Sequence, residues 1–139
     1  MTILFKFIKK INMKDKFLLE LRGDAIGDIT AQSKPEEIFQ NQTLRPILKL
    51  QNDLFLAVFK NYIVKQKVDF DSFSPEKKMT FIDNAIQRDI KFRNALKGMI
   101  IGFFTLHEYD TYIQNSSNLN KRMMNLLMER LKSQIQIIN

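Results

Sequence analysis

The sequence predicts an all-α protein, a single compact bundle of five to six helices. Apolar residues recur at three- and four-residue spacing along most of the chain, the period of a helix with one buried face. No stretch alternates apolar and polar residues as a half-buried strand does. Four Gly and three Pro are too few for a protein of many short strands and tight turns. The 139 residues are enough for one domain with its own core, and 45% hydrophobic with 27% charged residues is the balance of a folded chain.

The elements follow in order. Residues 1–12 read as a basic and apolar extension ahead of a second start at Met13, with 13–139 as the helical-bundle domain. The first helix is expected over Asp15–Thr30, from Leu18, Leu21, Ala25 and Ile29. Gly23 and Gly27, four apart, share a side of it and would let another backbone approach. Ser33-Lys34-Pro35-Glu36-Glu37 opens a short helix, with Pro in the first turn and two acids at the positive end of the helix dipole. It is expected to fade near Asn41. Thr43 then reads as an N-cap with Pro46 in the following first turn, starting a helix that runs to about Lys65. Its apolar residues cover more than half the wheel, which places it at the centre of the bundle.

Ser74-Pro75-Glu76 is a helix start built from a capping hydroxyl, Pro at the first position and an acid next. The pattern continues through Ile82, Ile86, Ile90, Leu96, Ile100 and Phe104, read as one helix with room for a break near Gln87. Thr105-Leu106-His107-Glu108 has the form of a capping box and opens a short helix. After Asn115-Ser116-Ser117-Asn118, a last helix carries Leu119, Met123, Leu126, Leu127, Leu131 and Ile135.

Several function classes are excluded or weakened by composition. Without cysteine there are no disulfides, thiolate nucleophiles or Cys-based zinc sites, which suits a cytoplasmic location. The N-terminus lacks the unbroken apolar stretch and cleavage site of a secretory signal, and no run approaches the length of a membrane span. The net charge of +7 and an isoelectric point of about 9.7 favour polyanions, nucleic acid among them. Much of that excess sits in residues 1–16, where five Lys face Asp15 alone. No Arg/Lys–aromatic interleaving or recognition-helix pattern accompanies it.

Three constellations carry chemistry. On a continuous helix, Asp89 and Arg93 fall inside the apolar stripe and can meet as an internal ion pair; the functional alternative is an anionic-ligand site in which Asp89 orients Arg93. A break near Gln87 would rotate both away. His107, the one histidine, is expected exposed in a capping box; Asp110 is its only nearby partner, so neither a metal nor any other cofactor is expected. Met123, Met124 and Met128 give the last helix a soft face, read as core or, alternatively, as a groove for a partner helix or a second copy. Arg22-Gly23-Asp24 spells an adhesion tripeptide, but in a helical pattern that is coincidence.

The stretches FLLELRGDAIGDI (17–29), QNQTLRPILKLQNDLFLAVFKNYI (40–63), DIKFRNALKGMIIGFFTLHEY (89–109) and NSSNLNKRMMNLLMERL (115–131) resemble a family of short uncharacterised bacterial proteins. Some members of that family carry a glyoxalase label, which implies His and Glu metal ligands on paired βαβββ modules. One His and no predicted strand do not fit it. The sequence therefore leans away from an enzyme and towards a protein-interaction or homodimerising module. The alternatives are a basic accessory protein binding nucleic acid and a small anionic-ligand site around Arg93.

Overall fold

Helix periodicity puts the larger apolar side chains on common faces, and these faces meet around the last helix. The computed structural model describes residues 13–138, and within them all regular structure is helical, with no strand. The expected extension, residues 1–12, lies outside the described residues. The helices are α1 (13–22), α2 (Pro35–Phe39), α3 (Arg45–Leu50), α4 (Asn52–Lys65), α5 (Pro75–Gln87), α6 (Ile90–Ile101), α7 (Leu106–Ile113) and α8 (Ser116–Lys132). A π-helical stretch, Gln40–Leu44, joins α2 to α3. Counting Pro35–Leu50 as one rod gives seven helices among the described residues, against the five to six expected.

The α8 helix is the centre. It packs against α5, α6, α7 and the π stretch, and buries Leu119, Met123, Met124, Leu126, Leu127, Met128 and Leu131. Ile82 and Ile86 of α5, Leu96 and Ile100 of α6, and Leu44, Ile47 and Leu48 of the rod complete this core. The α4 helix, expected at the centre, is peripheral: Phe55, Phe59 and Ile63 are buried, but Leu54 and Val64 face outward. Phe59, Tyr62, Phe70, Phe81 and Phe92 form an aromatic cluster at its inner side, with Tyr62 and Phe92 stacked at 4.0 Å between centroids.

Several sequence expectations need correction. The first helix stops at Arg22, because Gly23 takes φ +76° and its amide closes onto the Leu19 carbonyl, 3.1 Å away. Gly27, at φ +105°, lies in the loop that follows, so the two glycines bring no helices together. Thr43 caps nothing; it is buried inside the π stretch. Pro46 has no N–H for the Gln42 carbonyl and its ring crowds that carbonyl, and the rod widens immediately upstream, where Arg45 N–H reaches back to Gln40 O. The helix expected from Leu44 to Lys65 breaks at Gln51 (φ −93°, ψ 10°). Of the two readings for the segment from Pro75 onwards, the broken one holds: α5 ends at Gln87, and α6 starts afresh with Asp89 as its N-cap.

Other starts fall where the sequence places them. Ser74 accepts a hydrogen bond from Lys77 N, 3.2 Å, with Pro75 as the first helical residue. Thr105 and Glu108 form a complete capping box, Glu108 N to Thr105 Oγ1 at 3.1 Å and Thr105 N to Glu108 Oε1 at 2.8 Å. Among the described residues no helix is long and apolar enough to cross a membrane.

Candidate functional site

The capping box at the start of α7 is the base of a buried polar knot. Thr105 N and Glu108 Oε1 close the box, which leaves Glu108 Oε2 directed into the seam between α7, the π stretch and α1. Thr43 donates to Oε2 at 2.6 Å, and Arg22 of α1 donates through Nη2 to the same oxygen. Arg22 Nη1 donates to the Phe103 carbonyl at 3.0 Å. The pair is largely buried, with the Arg22 side chain 1% exposed and that of Glu108 12%. Among the described residues Arg22 Nε is buried without a partner.

The widened turn matters here. It directs the Thr43 hydroxyl at a carboxylate 65 residues further along the chain. Burial alone would raise the Glu108 carboxyl. Hydrogen bonds from Arg22, Thr43 and the Thr105 amide, with the Arg22 charge, outweigh it and hold the group below the usual glutamate value. A carboxylate committed to three donors is poorly placed to exchange protons with a substrate. Its chemistry is that of an anchor, and what it anchors is α1.

Beside the knot lies a cleft of about 500 Å³, lined among others by Asp15 and Leu19 of α1, Phe39, Thr43, His107 and Glu108. Asp15 adds a second tie, accepting from Leu106 N at 3.4 Å. Asp15, Leu18 and Arg22 thus face the body, at the three- and four-residue spacing of one helix side. The opposite side of α1 shows Met13, Phe17 and Leu21, exposed at 71%, 64% and 62%.

The residues singled out from sequence are placed differently. Asp89 and Arg93 form no ion pair: the described ion pairs are Arg22–Glu108 and Lys132–Asp83. With the helix broken at Arg88, the Asp89 carboxylate caps α6, accepting from Phe92 N at 3.2 Å and from the Tyr62 hydroxyl at 2.9 Å. Burial, then the hydrogen bond to Asp89 and its charge, push the Tyr62 hydroxyl up to about 12. Met123, Met124 and Met128 are buried at 0%, 2% and 6% exposure, so they are core of this chain and offer no face to a partner. His107 is exposed at the rim of the cleft, and Asp110 is exposed on the same helix.

Arg22 and Thr43 had no reading from sequence as members of a site. The one available signal was Glu108, whose capping box fixes where a carboxylate must sit. Comparison with known families, characterised proteins and solved structures finds no match to this chain.

Proposed function

We propose that this chain is a protein-interaction module, acting by binding rather than catalysis, with the outer face of α1 as its binding element. The observation that carries the reading is the line Met13, Phe17, Leu21 on a helix held from behind by the Arg22 knot. Single exposed apolar side chains are ordinary, but three at four-residue spacing make a strip. Covering it would contribute up to about 1.5–3 kcal/mol per fully buried side chain. Lys14 and Lys16 are exposed beside the strip, and residues 1–16 hold five Lys against one Asp. The fitting partner is a protein with an apolar groove rimmed by carboxylates. A second copy of this chain would bring lysines against lysines.

The test places a photo-crosslinking amino acid at position 17 of the full chain in the cells that produce it. Gln87, exposed at the end of α5, serves as the control position. A single acidic-grooved partner captured from position 17, and lost when Leu21→Glu is added, supports the reading. Three results sink it: identical adducts from both positions, a dimer of the 16.5 kDa chain as the sole adduct, or no protein adduct with co-sedimentation on phosphatidylglycerol vesicles.

A further inference from the structure

A second group of arginines is arranged on the opposite principle to Arg22. Arg45, at the start of α3, and Arg130, in the last turn of α8, line one cleft of about 340 Å³ together with Leu48, Leu126, Glu129 and Gln134. Their hydrogen-bond partners are neutral amides. Arg45 Nε donates to Asn41 Oδ1 at 3.0 Å, and Arg130 Nη1 donates to Asn52 Oδ1 at 3.3 Å. Asn52 is itself held in a reciprocal pair with Gln134, at 2.8 and 2.7 Å, and Gln134 also donates to the Arg130 carbonyl at 2.9 Å. The guanidiniums are therefore held in place while no ion pair among the described residues compensates their charge.

Burial, and then the positive charge of Arg45, push Arg130 below its ordinary value, the mark of two like charges brought together. Among the described residues no hydrogen bond engages Arg45 Nη1 or Nη2, or Arg130 Nε or Nη2. Glu129 is exposed at the rim and forms no ion pair with either arginine within 4.0 Å among the described residues. The buried Leu48 and Leu126 form an apolar floor, which strengthens the field above it.

We propose that the Arg45–Arg130 cleft binds the phosphate group of a small phosphomonoester. Two guanidiniums with free N–H groups match the oxygens of a phosphate, and guanidinium–phosphate hydrogen bonds are among the stronger ones proteins make. The cleft is at the small end of ligand sites, room for a phosphate and a few more heavy atoms. The Asn52–Gln134 pair is the positioning element, since it holds Arg130 without neutralising it.

Inorganic phosphate and glycerol 3-phosphate are titrated separately into the ¹⁵N-labelled full chain at constant ionic strength, with chloride as control. Saturable shifts are expected at Arg45, Arg130 and Gln134, with glycerol 3-phosphate binding at least as tightly as phosphate. Arg45→Gln and Arg130→Gln should each weaken binding by roughly tenfold, and Glu129→Gln should tighten it by about threefold as the rim carboxylate is neutralised. Glu129 is exposed, so its variant keeps the test valid where an arginine variant fails to fold. The proposal is overturned by no saturable shift, an equal response to chloride, an unchanged affinity in Glu129→Gln, or glycerol 3-phosphate binding more weakly than phosphate.

Discussion

Glu108→Gln isolates what the knot contributes. The substitution keeps the shape of the side chain but turns one oxygen into an N–H donor. The remaining oxygen can keep the Thr105 amide, which leaves Arg22 Nη2 and the Thr43 hydroxyl facing a donor. Arg22 is then a buried charge without a counter-ion, and removing one partner of such a pair costs about 3–5 kcal/mol. The α1 helix meets the body through Asp15, Leu18 and Arg22, a small fraction of the total burial. Its detachment therefore costs less than global unfolding, and the loss is expected as local opening. Amide hydrogen exchange read residue by residue separates the two. A cost of about 3 kcal/mol accelerates exchange in residues 17–22 by roughly 150-fold, up to the limit of an unprotected helix. Leu127 at the centre of α8 should keep its protection. Adding Arg22→Met should restore most of it, because an apolar replacement of a whole buried pair is often neutral. A change below about threefold in α1, or an equal change at Leu127, would refute the reasoning.

Three further outcomes are expected. Because Glu108 is held below the usual glutamate value, its stabilisation is complete above that value and is lost as pH falls through it and below. Acid should thus expose the α1 amides before those of α8, and Glu108→Gln should abolish that early step. Tyr62, pushed up to about 12, contributes stability that is full below the ordinary tyrosine value and is lost as pH rises towards 12; Tyr62→Phe should remove an absorbance step near pH 12 at 295 nm. Gly27→Ala should destabilise more than Gly23→Ala in urea titrations. Both take positive φ, costing about 1–3 kcal/mol for a residue with Cβ, but only at Gly27 would the new carbon meet a neighbour, Asn41 Cγ at 2.9 Å. Equal losses would discount that contact.

What the sequence made legible was local chemistry. Ser74 with Pro75, and Thr105 with Glu108, are caps completed within four residues, so no tertiary information is needed to read them. The wheel patterns failed where they assumed continuity. Leu18, Leu21, Ala25 and Ile29 keep helical spacing across Gly23, yet the backbone leaves the helix there, because a glycine followed by Asp24 and later Gly27 frees the chain to turn. Thr43 and Pro46 look like a helix start because both are at home in a first turn. A rod that widens by one residue around them accommodates the same pair in mid-course. Asp89 and Arg93 depended on one unbroken helix, and the break at Arg88 made Asp89 a cap. The Arg22–Glu108 pair spans 86 residues, so nothing local announces it.

The two arginine sites suggest how to separate an anchor from a binding site in a chain of this charge. At Arg22 the counter-charge comes from within the chain: Nη2 donates to Glu108 and Nη1 to the Phe103 carbonyl. The charge of such a site is already compensated, and its disruption should be felt as loss of structure. At Arg45 and Arg130 the partners are amides, which fix direction but leave the charge in place. Disruption there should be felt in anion affinity, with the fold intact. The shared carboxylate adds a constraint on the first site. Glu108 uses one oxygen to cap α7 and the other to hold α1, so a single side chain ties the position of α1 to the start of α7. A partner that grips α1 from outside therefore meets a helix whose position is set by the body of the protein, and the ordering cost of binding is reduced accordingly.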